Sequence, residues 1–267
     1  MKSNTLVLCT SLFGGQAKYR GGALQCAQEL QSIETSPYRP TLAIYYDVTS
    51  PSRTLNALSA FSDVELIRVD SDWAGIGTLA SVYRFLGFKD YQEAAMLLTW
   101  DVDNTLTSGA FHALLDRIRG DHAAFHVMRK HNPPRGRLFN ADCWAAVPPR
   151  WPNYECVCRG LLEEIADYFR RNNDTTYGCD ERAQRYAVQG LFEHRHPGAK
   201  IVHIGKERLE TAGQAVFYDD AQRVPMPELL VESWESLLAK GPHKAQYRTV
   251  RLLDYGFPSI KDFAKLS

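Results

Sequence analysis

Short apolar runs separated by stretches of helix-forming length constrain this chain more than any other feature. Leu6–Thr10, Thr41–Tyr46, Val64–Val69 and Ala95–Trp100 are each five or six residues long, rich in Leu, Val and Ile. Runs that short, without polar alternation, read as strands buried on both faces rather than as helices. Between them lie patterns that suit helices, near Gly22–Gln31 and over Thr78–Phe88. Strands alternating with helices predict βαβ units and an α/β fold whose mostly parallel, Rossmann-like sheet is flanked by helices.

The pattern continues with a helix from an N-cap at Ser108 to about Arg119, and a strand at Ala124–Met128. It changes after His131. Asn132-Pro133-Pro134-Arg135-Gly136 and Val147-Pro148-Pro149-Arg150-Trp151-Pro152 are expected to be loops, because proline continues neither a helix nor a sheet ladder. Helices are expected at Arg159–Arg171 and Asp180–Phe192, a strand at Lys200–Ile204, and a last helix near Glu228–Lys240. The tail from Gly241 shows little periodicity and is expected to wrap over the rest. No repeat or low-complexity segment divides the 267 residues, so a single domain is the reading.

Charge narrows the function classes. Lys+Arg and Asp+Glu number 31 each, so no overall field recruits nucleic acid or an anionic membrane. A polyanionic ligand must be handled locally, by a metal or a few arginines. No window reaches the roughly 18 apolar residues of a spanning helix, and the first apolar run is too short for a signal peptide. The expected location is cytoplasmic, at most peripheral to a membrane. The six cysteines show no C-x-x-C spacing, and Cys156-Val157-Cys158 has no second pair to complete a zinc site. Reduced structural thiols are expected.

The most informative stretch is Ala95–Leu106. An apolar strand runs into Asp101-Val102-Asp103, and in open α/β sheets ligands bind beyond the carboxyl ends of strands. In extended chain, residues i and i+2 project to one side, so both carboxylates can reach one Mg²⁺ or Mn²⁺. Three readings are open at this segment. A transferase would use the metal to neutralise a diphosphate leaving group. A phosphatase of the haloacid dehalogenase type uses D-x-D-x-T-L, which Asp101-Val102-Asp103-Asn104-Thr105-Leu106 fits letter for letter, with Asp219-Asp220 and Lys200 or Lys206 as distal partners. An Asx-turn at a strand end explains the same residues without any ligand.

The order of motifs along the chain favours the first reading. Ser11-Leu12-Phe13-Gly14, Lys18-Tyr19, Gly22-Ala23-Leu24-Gln25-Cys26-Ala27, Tyr83-Arg84-Phe85, Asp101-Val102-Asp103, His126-Val127-Met128-Arg129-Lys130-His131-Asn132-Pro133, a weak Ala141-Asp142-Cys143-Trp144-Ala145 and Tyr177-Gly178-Cys179-Asp180-Glu181 follow one another. In that order they resemble the capsule-polysaccharide type of GT-A glycosyltransferase, over roughly residues 5–190. A dehalogenase-type phosphatase places its D-x-D near the chain start. A third reading is a non-catalytic glycan- or nucleotide-binding module that has kept the fold.

The resemblance implies a GT-A fold in one domain, with about 1–131 as the nucleotide-sugar-binding half and about 132–267 as the acceptor half and tail. It implies a nucleoside-diphosphate sugar donor, a UDP-sugar being favoured, a glycan hydroxyl acceptor, and Mn²⁺ or Mg²⁺. Asp101 and Asp103 become the metal and diphosphate residues, with His203 as a further ligand; a core histidine is the competing reading of His203. Ser11, Phe13 and Tyr19 fall where base and ribose dock, against the alternative of aromatics that anchor the loop. Arg84 is set to pair with a phosphate through its planar fork, or to sit in an ion pair.

His126, Arg129 and His131, alternating at a strand end, are expected on one side, facing donor sugar or acceptor, with Trp144 beside them. Asp180 is the expected general base, although a helix N-cap explains it equally; Asp142 is the second choice. Three departures bear on the sugars: Ser108-Gly109-Ala110 stands where the family has Arg-Glu, Lys130 replaces an acidic residue, and Asn140-Ala141-Asp142 alters a glycine-rich turn.

Overall fold

The structure is a computed structural model and describes residues 4–102, 106, 109–120, 125–132, 136–147, 154–195, 201–205 and 246–263. Its centre is one eight-stranded sheet in the order β7-β5-β6-β4-β1-β2-β3-β8. The strands are β1 (Thr5–Leu12), β2 (Arg39–Tyr46), β3 (Val64–Asp70), β4 (Met96–Thr99), β5 (Phe125–Asn132), β6 (Gly136–Ala146), β7 (Ile201–Gly205) and β8 (Gln246–Arg251). Every neighbouring pair is parallel except the two made by β6, which runs antiparallel to β4 and to β5. The fold is therefore α/β with a mostly parallel sheet.

Seven of the eight residues of β1 are buried, as a central strand covered on both faces requires. Its side chains divide by the period of two. Val7 and Cys9 enter a core with Trp73, Phe85, Phe88, Phe169 and Phe257. Leu6, Leu8 and Leu12 enter a second core with Leu24, Leu58, Trp100 and Phe111. The first core takes α6 (Tyr154–Asn172) and α7 (Cys179–Val188); the second takes α1 (Ala17–Leu30), α2 (Ser52–Leu58) and α5 (Gly109–Gly120). No described helix is long and apolar enough to cross a membrane. Cys9, Cys26, Cys158 and Cys179 are free and buried, in line with structural thiols.

The central elements match expectation to within a few residues. Helix α1 begins earlier than predicted, so Gly21 and Gly22 are buried within it rather than opening it. The helix expected over Thr78–Phe88 is broken into α3 (Gly77–Ala80), a 3₁₀ stretch (Ser81–Leu86) and α4 (Gly87–Asp90). The cause is Ser11 of β1, whose hydroxyl accepts the Arg84 N–H at 2.8 Å and donates to the Ser81 carbonyl at 3.1 Å. Gly87 lets this turn approach β1: a Cβ there would lie 2.3 Å from Cys9 Sγ. Helix α7 continues through a π-helical stretch, Gln189–Arg195.

Two strands were not expected. Strand β6 forms a hairpin with β5, pairing Asn132 with Gly136, and reaches β4 through Leu97–Ala146. The tail read as aperiodic supplies β8, which pairs with β3 from Glu65–Gln246 to Asp70–Arg251. Arg248 ties it down through Glu65 at 2.7 Å and Asp90 at 2.9 Å, and Asp90 also accepts the Tyr45 and Tyr255 hydroxyls at 2.7 and 2.6 Å. Beyond β8, Pro258 accepts the Trp73 indole N–H at 3.0 Å. The helix expected at Glu228–Lys240 lies outside the described residues, as do Asp219, Asp220, Lys200 and Lys206.

Candidate active site

The carboxyl ends of β1 and β4 open into a cleft of about 740 Å³, within the roughly 300–1,000 Å³ usual for small-molecule sites. Its walls come from the β1–α1 loop, the Gly75–Arg84 segment, the residues after β4, and the start of α7. The loop after β1 is braced from β2. Gly14, in the left-handed region at φ +65°, donates its N–H to Thr49 Oγ1 at 2.8 Å. Thr49 in turn donates its N–H to Asp47 Oδ1 at 2.9 Å, and the Ser50 hydroxyl donates to the Leu12 carbonyl at 2.8 Å. That brace presents Phe13 and Tyr19, whose ring centroids are 5.9 Å apart, with the Lys18 ammonium 5.7 Å from the Tyr19 ring.

Arg84 is the centre of the charge arrangement. It is 5% exposed, and its Nη1 donates to Asp101 Oδ1 while Nη2 donates to Asp180 Oδ2 at 2.6 Å. One planar guanidinium thus joins the end of β4 to the first turn of α7, a geometry that a fork of fixed donors provides and an ammonium does not. Asp180 is itself buried, and its Oδ1 accepts the Glu181 N–H at 3.0 Å.

The start of α7 is fixed as firmly. Asp174 accepts a two-pronged ion pair from Arg182, Nε to Oδ2 at 2.7 Å and Nη2 to Oδ1 at 3.0 Å. Burial alone would raise its carboxyl; hydrogen bonds from Arg182, Tyr168 and Thr176 outweigh that and hold it well below the ordinary value. Tyr177 follows, 93% exposed, and Gly178 turns the chain into the helix at φ +77°. Partial desolvation and then the charges of Glu181, Asp180 and Asp101 push the Tyr177 hydroxyl up from the usual tyrosine value.

The cleft brings together Ser11, Phe13, Tyr19, Arg84, Asp101 and Asp180 from the residues singled out in the sequence. Ser11 holds the 3₁₀ turn, and both hydrogen bonds described above serve the backbone. For Arg84, phosphate pairing and an ion pair were both open; the ion pair exists, and it is buried. His126 is 2% exposed on β5, opposite Ala145 of β6 and Val202 of β7, away from the described lining of the cleft. An odd step separates it from Arg129, so a regular strand would set the two on opposite faces rather than on one side as expected. Strand β5 carries a register shift between Val127 and Arg129 at that point.

Arg129 and His131 pair in register with Phe139 and Arg137, Trp144 with Val127, and His203 of β7 with Val127; Asp142 lies in β6. The side chains of these five, and Asp103 altogether, are outside the described residues. Among the described residues no three His, Cys, Asp or Glu side chains gather as a metal-holding group. The Asp101 carboxylate, 40% exposed in the cleft, has the hard-oxygen chemistry that suits Mg²⁺ or Mn²⁺. Gln16, Lys18, the Gly75–Thr78 stretch, Tyr177 and Glu181 also line the cleft and were not singled out as site residues. Lys18, Tyr177 and Glu181 stood in motifs of the sequence, and the glycines at 75 and 77 carried a local signal.

No family model matches the chain, and no curated protein sequence matches it. Solved structures to which the chain is similar include glycosyltransferases. A galactosyltransferase LgtC, in complex with donor and acceptor sugar analogues, has 11% identity and a TM-score of 0.48, covering 98% of this chain and 94% of that one. Mouse xyloside xylosyltransferase 1, in its apo form, has 11% identity and a TM-score of 0.40, over 91% and 96%. The glycosyltransferase GlyE of Streptococcus pneumoniae TIGR4 has 13% identity and a TM-score of 0.44, over 91% and 66%. Likenesses this distant do not by themselves carry an activity to this chain.

Proposed function

We propose that this chain is a GT-A type glycosyltransferase that moves a sugar from a nucleoside-diphosphate donor to a glycan hydroxyl. The observation that supports it best is the single guanidinium of Arg84 joining Asp101 and Asp180 in the cleft at the ends of β1 and β4. Those residues belong to three separate motifs of the resemblance, and their convergence is what a diphosphate-sugar site needs.

In this reading Phe13 and Tyr19 receive the base, with a UDP-sugar favoured. Lys18 and Arg84 supply the positive charge that the diphosphate meets in the cleft, and Asp101 and Asp180 fix the position of the Arg84 guanidinium. Asp101, Asp103 and His203 would hold Mn²⁺ or Mg²⁺, which when bound neutralises charge on the leaving diphosphate. Asp180 is the proposed general base and Asp142 the second choice, with Arg129, His131 and Trp144 on the sugar side; His126, buried on β5 and away from the described cleft lining, takes no part.

Calorimetric titration with UDP and GDP, with and without Mn²⁺, tests the reading. Metal-dependent micromolar binding of one nucleotide, lost in Asp103→Ala, is the expected result. Binding that ignores both the metal and Asp103 would remove the proposed ligand, and no binding of either nucleotide would remove the transferase.

A further inference from the structure

Tyr177 is anomalous on physical grounds. It is 93% exposed, yet it stands on one of the most heavily tied loops of the chain. Arg182 donates to the Tyr177 carbonyl at 3.1 Å and to Thr176 Oγ1 at 2.6 Å while gripping Asp174. From the opposite side, the Thr78 hydroxyl donates to the Thr175 carbonyl at 2.7 Å, and the Cys179 thiol donates to the Thr78 carbonyl at 3.2 Å. The neighbouring residue of the same stretch, Gly77, lies against the Phe13 ring, which a Cβ would meet at 3.4 Å. Residues 77–78 therefore fasten the Tyr177 loop and the Phe13 ring to one support.

A large ring standing in water gains nothing for folding. Its backbone is already tied, so binding has only the side chain left to order. Tyr177 lines the same cleft as Phe13 and Tyr19 but enters it from the α7 side, next to Asp180 and Glu181. The carboxylates of Glu181, Asp180 and Asp101 line that cleft with it. The ring beside those carboxylates has the chemistry of a platform for a pyranose. Its face receives the sugar's C–H surface, and carboxylates alongside accept hydrogen bonds from the sugar hydroxyls.

Resting on the transferase reading, we propose that Tyr177 is the stacking platform for the acceptor sugar and determines which pyranose enters. The Phe13–Tyr19 pair serves the nucleobase instead, so the two aromatic groups of the cleft divide donor from acceptor.

The test measures two ligands on wild type, Tyr177→Phe and Tyr177→Ala. UDP and GDP are titrated by calorimetry with Mn²⁺. Methyl β-D-galactopyranoside, methyl β-D-glucopyranoside and methyl α-D-mannopyranoside are titrated by ligand-observed NMR. The proposal expects at least one glycoside to bind wild type and Tyr177→Phe alike, and to bind Tyr177→Ala about tenfold more weakly, with nucleotide affinity unchanged within twofold. Equal glycoside affinity in Tyr177→Ala overturns it, as does nucleotide binding by wild type without binding of any of the three glycosides. Loss of nucleotide affinity with glycoside affinity unchanged also overturns it, and would make Tyr177 a base platform. Failure of both nucleotides to bind removes the transferase reading and this proposal with it, an outcome distinct from the others.

Discussion

Arg84→Lys keeps the charge of the cleft and removes only its fork. In the structure the two terminal nitrogens of one guanidinium serve Asp101 and Asp180, with Asp180 nine-tenths buried. An ammonium is a single point and reaches one of those carboxylates well, so the other loses a charge-assisted hydrogen bond. Such a bond contributes about 1.5–3 kcal/mol, and stranding a buried charge costs about 3–5 kcal/mol. The Lys charge stays nearby and Asp101 is 40% exposed, so a loss of about 2 kcal/mol is expected after screening. At roughly 2–4 °C per kcal/mol for a chain of this size, Tm falls by about 4–8 °C. Differential scanning calorimetry of wild type, Arg84→Lys and Arg84→Lys/Asp180→Asn measures it. The double variant, with a neutral partner, recovers part of the loss. An unchanged Tm in Arg84→Lys, or a double variant destabilised by the full sum of two independent losses, would refute the bridging role.

Two further outcomes follow from charges elsewhere. Arg248→Met should cost about 3 kcal/mol, because it leaves Asp90 and Glu65 without their shared cation at the β3–β8 edge. Limited proteolysis should then cut first around β8; a melt and cleavage pattern like wild type would show that β8 is held by other contacts. Asp174 has a folded-state pKa below its unfolded one, so its stabilisation is full above the ordinary aspartate value of 3.8 and fades as pH falls through the depressed value. Asp174→Asn should therefore be less stable than wild type at pH 7, with the gap narrowing as pH drops below 3.8. A gap that stays constant down the acid limb of a urea-melt series would contradict the pairing.

What could be read from the sequence divides by the range of the interaction. Strands β1 and β4 were legible because double-sided burial writes an unbroken apolar run. Strand β6 was not: Gly136–Ala146 mixes Arg137, Asn140 and Asp142 with Leu138, Phe139 and Trp144 in no period of two. Its pairing comes from the strands on either side. Strand β8 is an edge strand with only partial burial, held by Arg248 to partners 183 and 158 residues away, a connection no local pattern records.

The site follows the same rule. The Asp101 motif stood out because strand and carboxylates are adjacent. Its closure by Arg84, which precedes Asp101 by 17 residues and Asp180 by 96, exists only once β4 and α7 meet. The spacing of His126 and Arg129 misled, since three residues along a strand is an odd step. Tyr177 stood in a motif but was given no role, because the motif does not show its exposure or the ties on its loop, which come from Thr78 and Arg182.

The central claim is that a nucleoside-diphosphate sugar is broken at its anomeric carbon in this cleft. The most direct measurement incubates the protein and Mn²⁺ with UDP-glucose, UDP-galactose and GDP-mannose in turn, with the three methyl glycosides present as acceptor hydroxyls, and follows release of the nucleoside diphosphate by ³¹P NMR, with p-nitrophenyl phosphate as a parallel substrate. The account predicts release of UDP or GDP from at least one donor, abolished in Arg84→Met, and no hydrolysis of the phosphate ester. Hydrolysis of p-nitrophenyl phosphate with every nucleotide sugar left intact would contradict it.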